Sequence, residues 1–172
     1  MSLKDTLARL KGEEEQKTQW EEDKPKIIRE WQAIVTNLLT EIRLYLSDYE
    51  KDGFLSFSPR EIRLSEEGLG DYLIGAMSIN AGAAKLMVDP VGTLIIGALG
   101  RVDIYRQGRS SEQDRMVLLR VKQPESNSEG MWKTFLPDEI GAPRTGILQT
   151  PARRLVPFTK EILEQRLELM LG

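Results

Sequence analysis

The chain has 172 residues, 40% of them hydrophobic and 30% charged, with a formal net charge of −3. This describes a globular domain with a real core, and the acidic balance argues against a surface built to bind nucleic-acid phosphates. Cysteine and histidine are both absent, which removes disulfides, thiolate chemistry, the usual general base near neutral pH and the commonest zinc ligand. The expectation is a protein that is not an enzyme and has no cofactor or metal. No basic-then-apolar leader opens the chain, and its longest strongly apolar stretch, Val91–Leu99, is too short and too Gly-rich to span a bilayer. A cytoplasmic protein with no membrane contact is expected.

Ser2 and Asp5 have the spacing of a capping box. They predict a short helix with Leu3, Leu7 and Leu10 on one side, weakened or ended at Gly12. Residues 11–26 are heavily charged around a single Trp20 and read as a solvated helix or linker. Residues 1–24 are thus expected to be an extension, and residues 25–172 a single domain. Pro25 stands where the first turn of the next helix would begin.

That next helix, from 26 to 50, is the strongest local signal. At about 100° per residue, Ile27, Ile28, Trp31, Ile34, Val35, Leu38, Leu39, Ile42, Tyr45, Leu46 and Tyr49 fall within an arc of about 140°. A heptad seam also fits seven of these positions, but Ile27 and Ile34 widen the face on one flank and Leu39 and Leu46 on the other. So broad a face suits a helix laid on a sheet. Its length of roughly 37 Å would cross five or six strands spaced about 4.8 Å apart. Leu44 alone breaks the segregation, standing on the polar side.

From Phe54 the period changes to alternation. Strands are predicted at Phe54–Ser58, Glu61–Ser65, Tyr72–Ile79, Ala84–Val88, Thr93–Ala98, Arg101–Gln107, Arg115–Lys122 and Met131–Leu136, with turns at Asn80–Gly82 and Asp89–Gly92. Residues 137–157 hold four prolines and read as an extended connection. Thr159 is placed to cap a last helix, with Phe158 stapled onto Leu163 and an apolar face of Leu163, Leu167, Met170 and Leu171.

The motifs that suggest chemistry do not hold. Asp48–Pro59 resembles the calcium-binding loop of EF-hand proteins, with Asp48, Asp52 and Gly53 in place, but Pro59 stands where the bidentate Glu belongs. Gly92–Gly97 has phosphate-loop spacing, but Ala98 and Leu99 replace the Lys and the hydroxyl residue; Gly68–Gly70 begins a dinucleotide fingerprint that Leu73 ends. Arg101, Arg106, Arg109, Arg115 and Arg120, interleaved with Asp103, Glu112 and Asp114, read as a solvated, salt-bridged sheet edge. Nothing in the sequence pairs Asp71, Asp89 and Asp103.

The expected fold is α+β, a long amphipathic helix on an antiparallel meander of about six to eight strands, followed by a C-terminal helix. The expected function is that of a non-catalytic protein-interaction module of the adaptor, chaperone or immunity type. It would engage a protein partner or a second copy through the N-terminal helical segment or an open sheet face. Leu3, Leu7, Leu10, Leu44, Arg144, Arg153 and Arg154 are the candidate partner-binding residues. The alternative is a domain that binds a small apolar molecule or lipid in a pocket between the sheet and the long helix.

Overall fold

The computed structural model describes residues 2–93, 95, 98–122, 130–136 and 154–172. Helix α1 spans Leu3–Tyr45, and a break at Leu46 separates it from the short α2 at Ser47–Lys51. Seven strands follow: β1 Ser56–Glu66, β2 Gly70–Ala81, β3 Ala84–Gly92, β4 Gly100–Arg106, β5 Arg115–Lys122, β6 Gly130–Phe135 and β7 Leu155–Pro157. Helix α3, Lys160–Leu171, comes last. The strands form one sheet in the order of the chain, each neighbour antiparallel. This is the expected α+β meander with helices at either end of the sequence.

The helix is longer than expected. Gly12 does not end it, and Pro25 lies inside it. Pro25 lacks the N–H that would reach the carbonyl four residues back, but the ladder resumes on both sides. The charged segment between them is therefore helix, with Lys11–Glu15 paired across Gly12 and Gln19–Asp23 and Lys24–Glu21 paired before Pro25. At its start the capping box is complete: the Ser2 N–H donates to Asp5 at 2.9 Å, and the Asp5 N–H to the Ser2 hydroxyl at 3.2 Å. Hydrogen bonds from the Ser2 side chain, then from its backbone, hold the Asp5 carboxyl below its ordinary range.

The apolar arc of α1 packs on the chain's own sheet. Trp31, Val35, Leu38, Ile42 and, just past the helix end, Leu46 are buried among Ile79, Leu86, Val88, Val102, Ile104, Met116 and Leu118. Burial of each such side chain stabilises the fold by about 1.5–3 kcal/mol. Rather than simply crossing strands, the helix follows the β1–β2 hairpin. The Trp20 indole N–H donates to the Gly68 carbonyl, the Gln32 amide donates to the Leu73 carbonyl, and Leu39 lies against Gly75.

That hairpin explains two strands the sequence divided. Ser56–Ser58, the second part of the first, and Glu61–Ser65 belong to one strand running through Pro59, with Phe54 and Leu55 before it; the proline is tolerated because β1 is an edge strand and needs no ladder bond on its outer side. Its register with β2 is unbroken from Ser56↔Asn80 to Glu66↔Gly70, yet the inward face changes along it. Phe57 and Ile79 contribute to the core from one face, Ile62, Leu64, Tyr72 and Ile74 from the other. β2 pairs with β3 only over Met77–Ala81, so the Gly70–Ala76 half is free to twist as a two-stranded ribbon and turn its second face inward. The Arg60–Asp89 ion pair, and Glu66 accepting from the Thr93 N–H at 2.8 Å, tie the ribbon back to β3.

Other boundaries also differ from expectation. Asp89–Gly92 is not a turn but the end of β3, with a register shift between Pro90 and Gly92. The strand expected at Thr93–Ala98 is replaced by a single Ile95↔Ala98 bridge, with Leu94, Ile96 and Gly97 outside the described residues. The turn at Gly82 holds, its φ of +58° being the reason for glycine there. β7 falls within the Pro-rich segment expected to be extended connection. In α3, Thr159 caps as expected and Leu163, Leu167 and Met170 are buried, but Leu171 is exposed.

Candidate interaction surface

Among the described residues, the N-terminal part of α1 carries a run of large apolar side chains left without cover. Leu3, Leu7 and Leu10 are 74%, 56% and 48% exposed. Their spacing of four and three residues stacks them on one side of the helix. The polar neighbours Arg9, Lys11 and Gln19 interact within the helix, with Glu13, Glu15 and Asp23. Trp20 is where the exposed part meets the body of the protein, through its bond to Gly68. Read from the sequence as an isolated aromatic in a charged run, Trp20 is an anchor. No local signal marks it, because its partner is 48 residues away.

The Leu face and the anchor point in different directions. On a helical wheel Trp20 lies about 100° from the mean direction of Leu3, Leu7 and Leu10. The hairpin tip that Trp20 touches therefore leaves the leucines uncovered.

The remaining candidate residues are scattered. Leu44 is 66% exposed near the other end of α1. Arg154 is exposed just before β7 and is engaged in an interaction. Arg144 and Arg153 lie outside the described residues. Leu44 is therefore not brought together with the N-terminal leucines, which stand some thirty-four residues earlier on the same helix.

The second face of the sheet has a different character. The arginines expected at an edge belong in part to β4 and β5, in the middle of the sheet. Asp103 is 2% exposed and takes Arg101 at 2.7 Å on one oxygen and Arg115 on the other. Arg115 also stacks over the Tyr105 ring at 4.6 Å, and the Tyr105 hydroxyl donates to Asp89, which holds Arg60. Burial first, and the bond to Asp89 second, raise the Tyr105 hydroxyl above its ordinary pKa. These charges satisfy one another across four strands, leaving little on this face for an apolar partner to bind.

Among the described residues, two concavities border the sheet. One of about 250 Å³ is lined by Ser110, Ser111, Glu112, Arg115, Thr134 and the buried Arg166, whose guanidinium donates to the Arg115 carbonyl. The other, about 170 Å³, lies between α1 and the first hairpin at Leu39, Arg43, Phe57 and Met77. Among the described residues there is no group of three or more acidic side chains placed to hold a metal ion, and the EF-hand-like segment runs from α2 through a turn at Gly53 into β1 rather than into a second helix. No helix among them is long and apolar enough to cross a membrane. Comparison with protein families, with curated proteins and with solved structures finds no match to this chain.

Proposed function

We propose that the protein is a protein-interaction module whose binding element is the exposed N-terminal part of α1. The observation that carries the reading is the stripe of Leu3, Leu7 and Leu10, exposed on a helix already formed and capped. An amphipathic helix that is ordered before binding presents its anchors at i, i+4 and i+7 without the entropy cost of folding on the partner. The charge mesh on the second sheet face supports the helix over the sheet as the binding element.

Full-length protein is compared with the Leu3→Gln, Leu7→Gln, Leu10→Gln triple variant as bait in quantitative interaction capture. The variant is expected to melt within about 2 °C of the parent, because none of the three leucines belongs to the core, and to lose its specific partners. Identical captured sets would overturn the reading. A small molecule or lipid retained by both proteins in native mass spectrometry, with no protein partner, would favour the ligand-binding alternative.

A further inference from the structure

We infer that the Leu3–Leu7–Leu10 face is filled by the same face of a second copy of this chain, the two α1 segments lying antiparallel. The inference rests on the interaction reading above and names its partner.

The order of charges along the helix selects the occupant. Residues 2–11 carry three basic side chains and one acidic; residues 12–23 carry six acidic and one basic. Antiparallel overlap lays each basic stretch on the acidic stretch of the copy. Parallel overlap lays like on like and is opposed. An unrelated partner would need both signs in inverted order, which this chain's own sequence supplies.

One flank shows the complementarity in detail. Lys4, Lys11, Glu15 and Glu22 lie within about 40° of one another around the helix, and all four are exposed. Counted from residue 13, Lys4 is as far toward one end as Glu22 is toward the other, and Lys11 likewise balances Glu15. The two-fold axis of an antiparallel pair keeps a flank against its own copy. Each Lys therefore meets a Glu of the partner copy. Within one chain Lys11 and Glu15 are only loosely paired, at 4.0 Å with both side chains mostly in solvent, so little is lost in exchanging partners.

The leucines bed on the aliphatic stems of Glu14, Lys17 and Glu21, which continue the same side of the helix. Three leucines per copy fall short of the area of a stable interface, about 1,200 Å² or more. The pair is therefore reversible, dissociating on the order of 10–100 µM, and is weakened by salt because its charges are exposed.

Sedimentation equilibrium of the full chain tests this. A concentration-dependent dimer is expected, lost in the Leu3→Gln, Leu7→Gln, Leu10→Gln variant. Lys4→Glu with Lys11→Glu should be monomeric, as should Glu15→Lys with Glu22→Lys, while an equimolar mixture of the two restores the dimer. Because the chain has no cysteine, single introduced cysteines report orientation without background. Glu14→Cys should cross-link to its own copy and Leu7→Cys should not. Cross-linking at both sites would overturn the antiparallel arrangement. A monomer up to about 1 mM, far above the expected dissociation range, would overturn self-pairing and leave the interaction reading to its own test. A dimer indifferent to the leucine substitutions would place the contact elsewhere and count against both.

Discussion

Asp89 and Asp103 stand directly opposite each other across β3 and β4, two like charges at a cross-strand position that ordinarily repels. Arginine resolves the conflict. Arg60 and the Tyr105 hydroxyl take Asp89, and Arg101 and Arg115 take Asp103. Asp103→Asn is expected to cost about 2 kcal/mol, below the range for a fully buried pair because Arg101 and Arg115 still reach solvent. Asp89→Asn, at a more exposed carboxylate and with relief of the repulsion, should cost about half as much. Urea unfolding of both variants checks the order; equal losses would mean that the arginines do not discriminate between the two carboxylates.

Gly100→Ala is expected to destabilise the fold by about 2–3 kcal/mol. A Cβ there would overlap the Trp31 ring, approaching its Cη2 to 2.6 Å. Trp31 is buried, with Trp132 at a centroid distance of 6.3 Å, so the clash falls on packed aromatic rings. A lower urea midpoint accompanied by a shift in tryptophan emission would show it. Unchanged emission would mean that the strand has moved instead.

The four tyrosines set an alkaline limit. Tyr45 is pushed up to about 12, by burial first and by Glu41 second; Tyr49, Tyr72 and Tyr105 are also raised, each beside a carboxylate. A raised native value means that the unfolded chain releases its phenolic protons first. The contribution is complete below the ordinary value of 10.0 and is lost as pH climbs toward about 12. Native tyrosinate absorbance should therefore rise later than in urea, and stability should fall between about pH 10 and 12. Tyr45→Phe should flatten part of that slope.

Hydrogen exchange should divide α1 at Trp20. At about 1 µM, below the dissociation range expected for the pair, amides of residues 6–19, in a helix without tertiary cover, are expected to exchange at least about 100-fold faster than those of residues 31–45. Trp20→Ala should extend the fast region toward Ile27 while leaving residues 31–45 protected. Equal protection throughout would show that the first turns are covered in solution. Its loss on dilution would identify the cover as another copy.

What could be read from the sequence was what depends on near neighbours. The broad face of α1 and the N-cap at Thr159 follow from helical spacing, and β5 from alternation, all within one segment. The pairing of Asp89 with Asp103 could not be read, because it depends on strand register and on the irregularity at Pro90–Gly92. Pro59 looked like a break because edge position is a property of the sheet and not of the strand. Gly12 looked like a stop and Pro25 like the start of a separate helix, because in a helix interior they cost about 1 and 3 kcal/mol, but the complete cap, the i,i+4 ion pairs and docking beyond Trp20 let one helix run through both. As for the candidate surface, the leucine stripe was legible, but its freedom from the body was not, since that turns on where Trp20 lands.

Continuity through Pro25 also changes the mechanics of the first twenty residues. A linker would let a partner roam around the domain and would transmit no torque. A hydrogen-bonded rod fixes the bearing of whatever grips its tip, with a reach of roughly 25 Å from Trp20 back to Leu3. Any object held there is held at a set distance and rotation from the sheet, as if by a lever arm whose fulcrum is the Trp20–Gly68 bond.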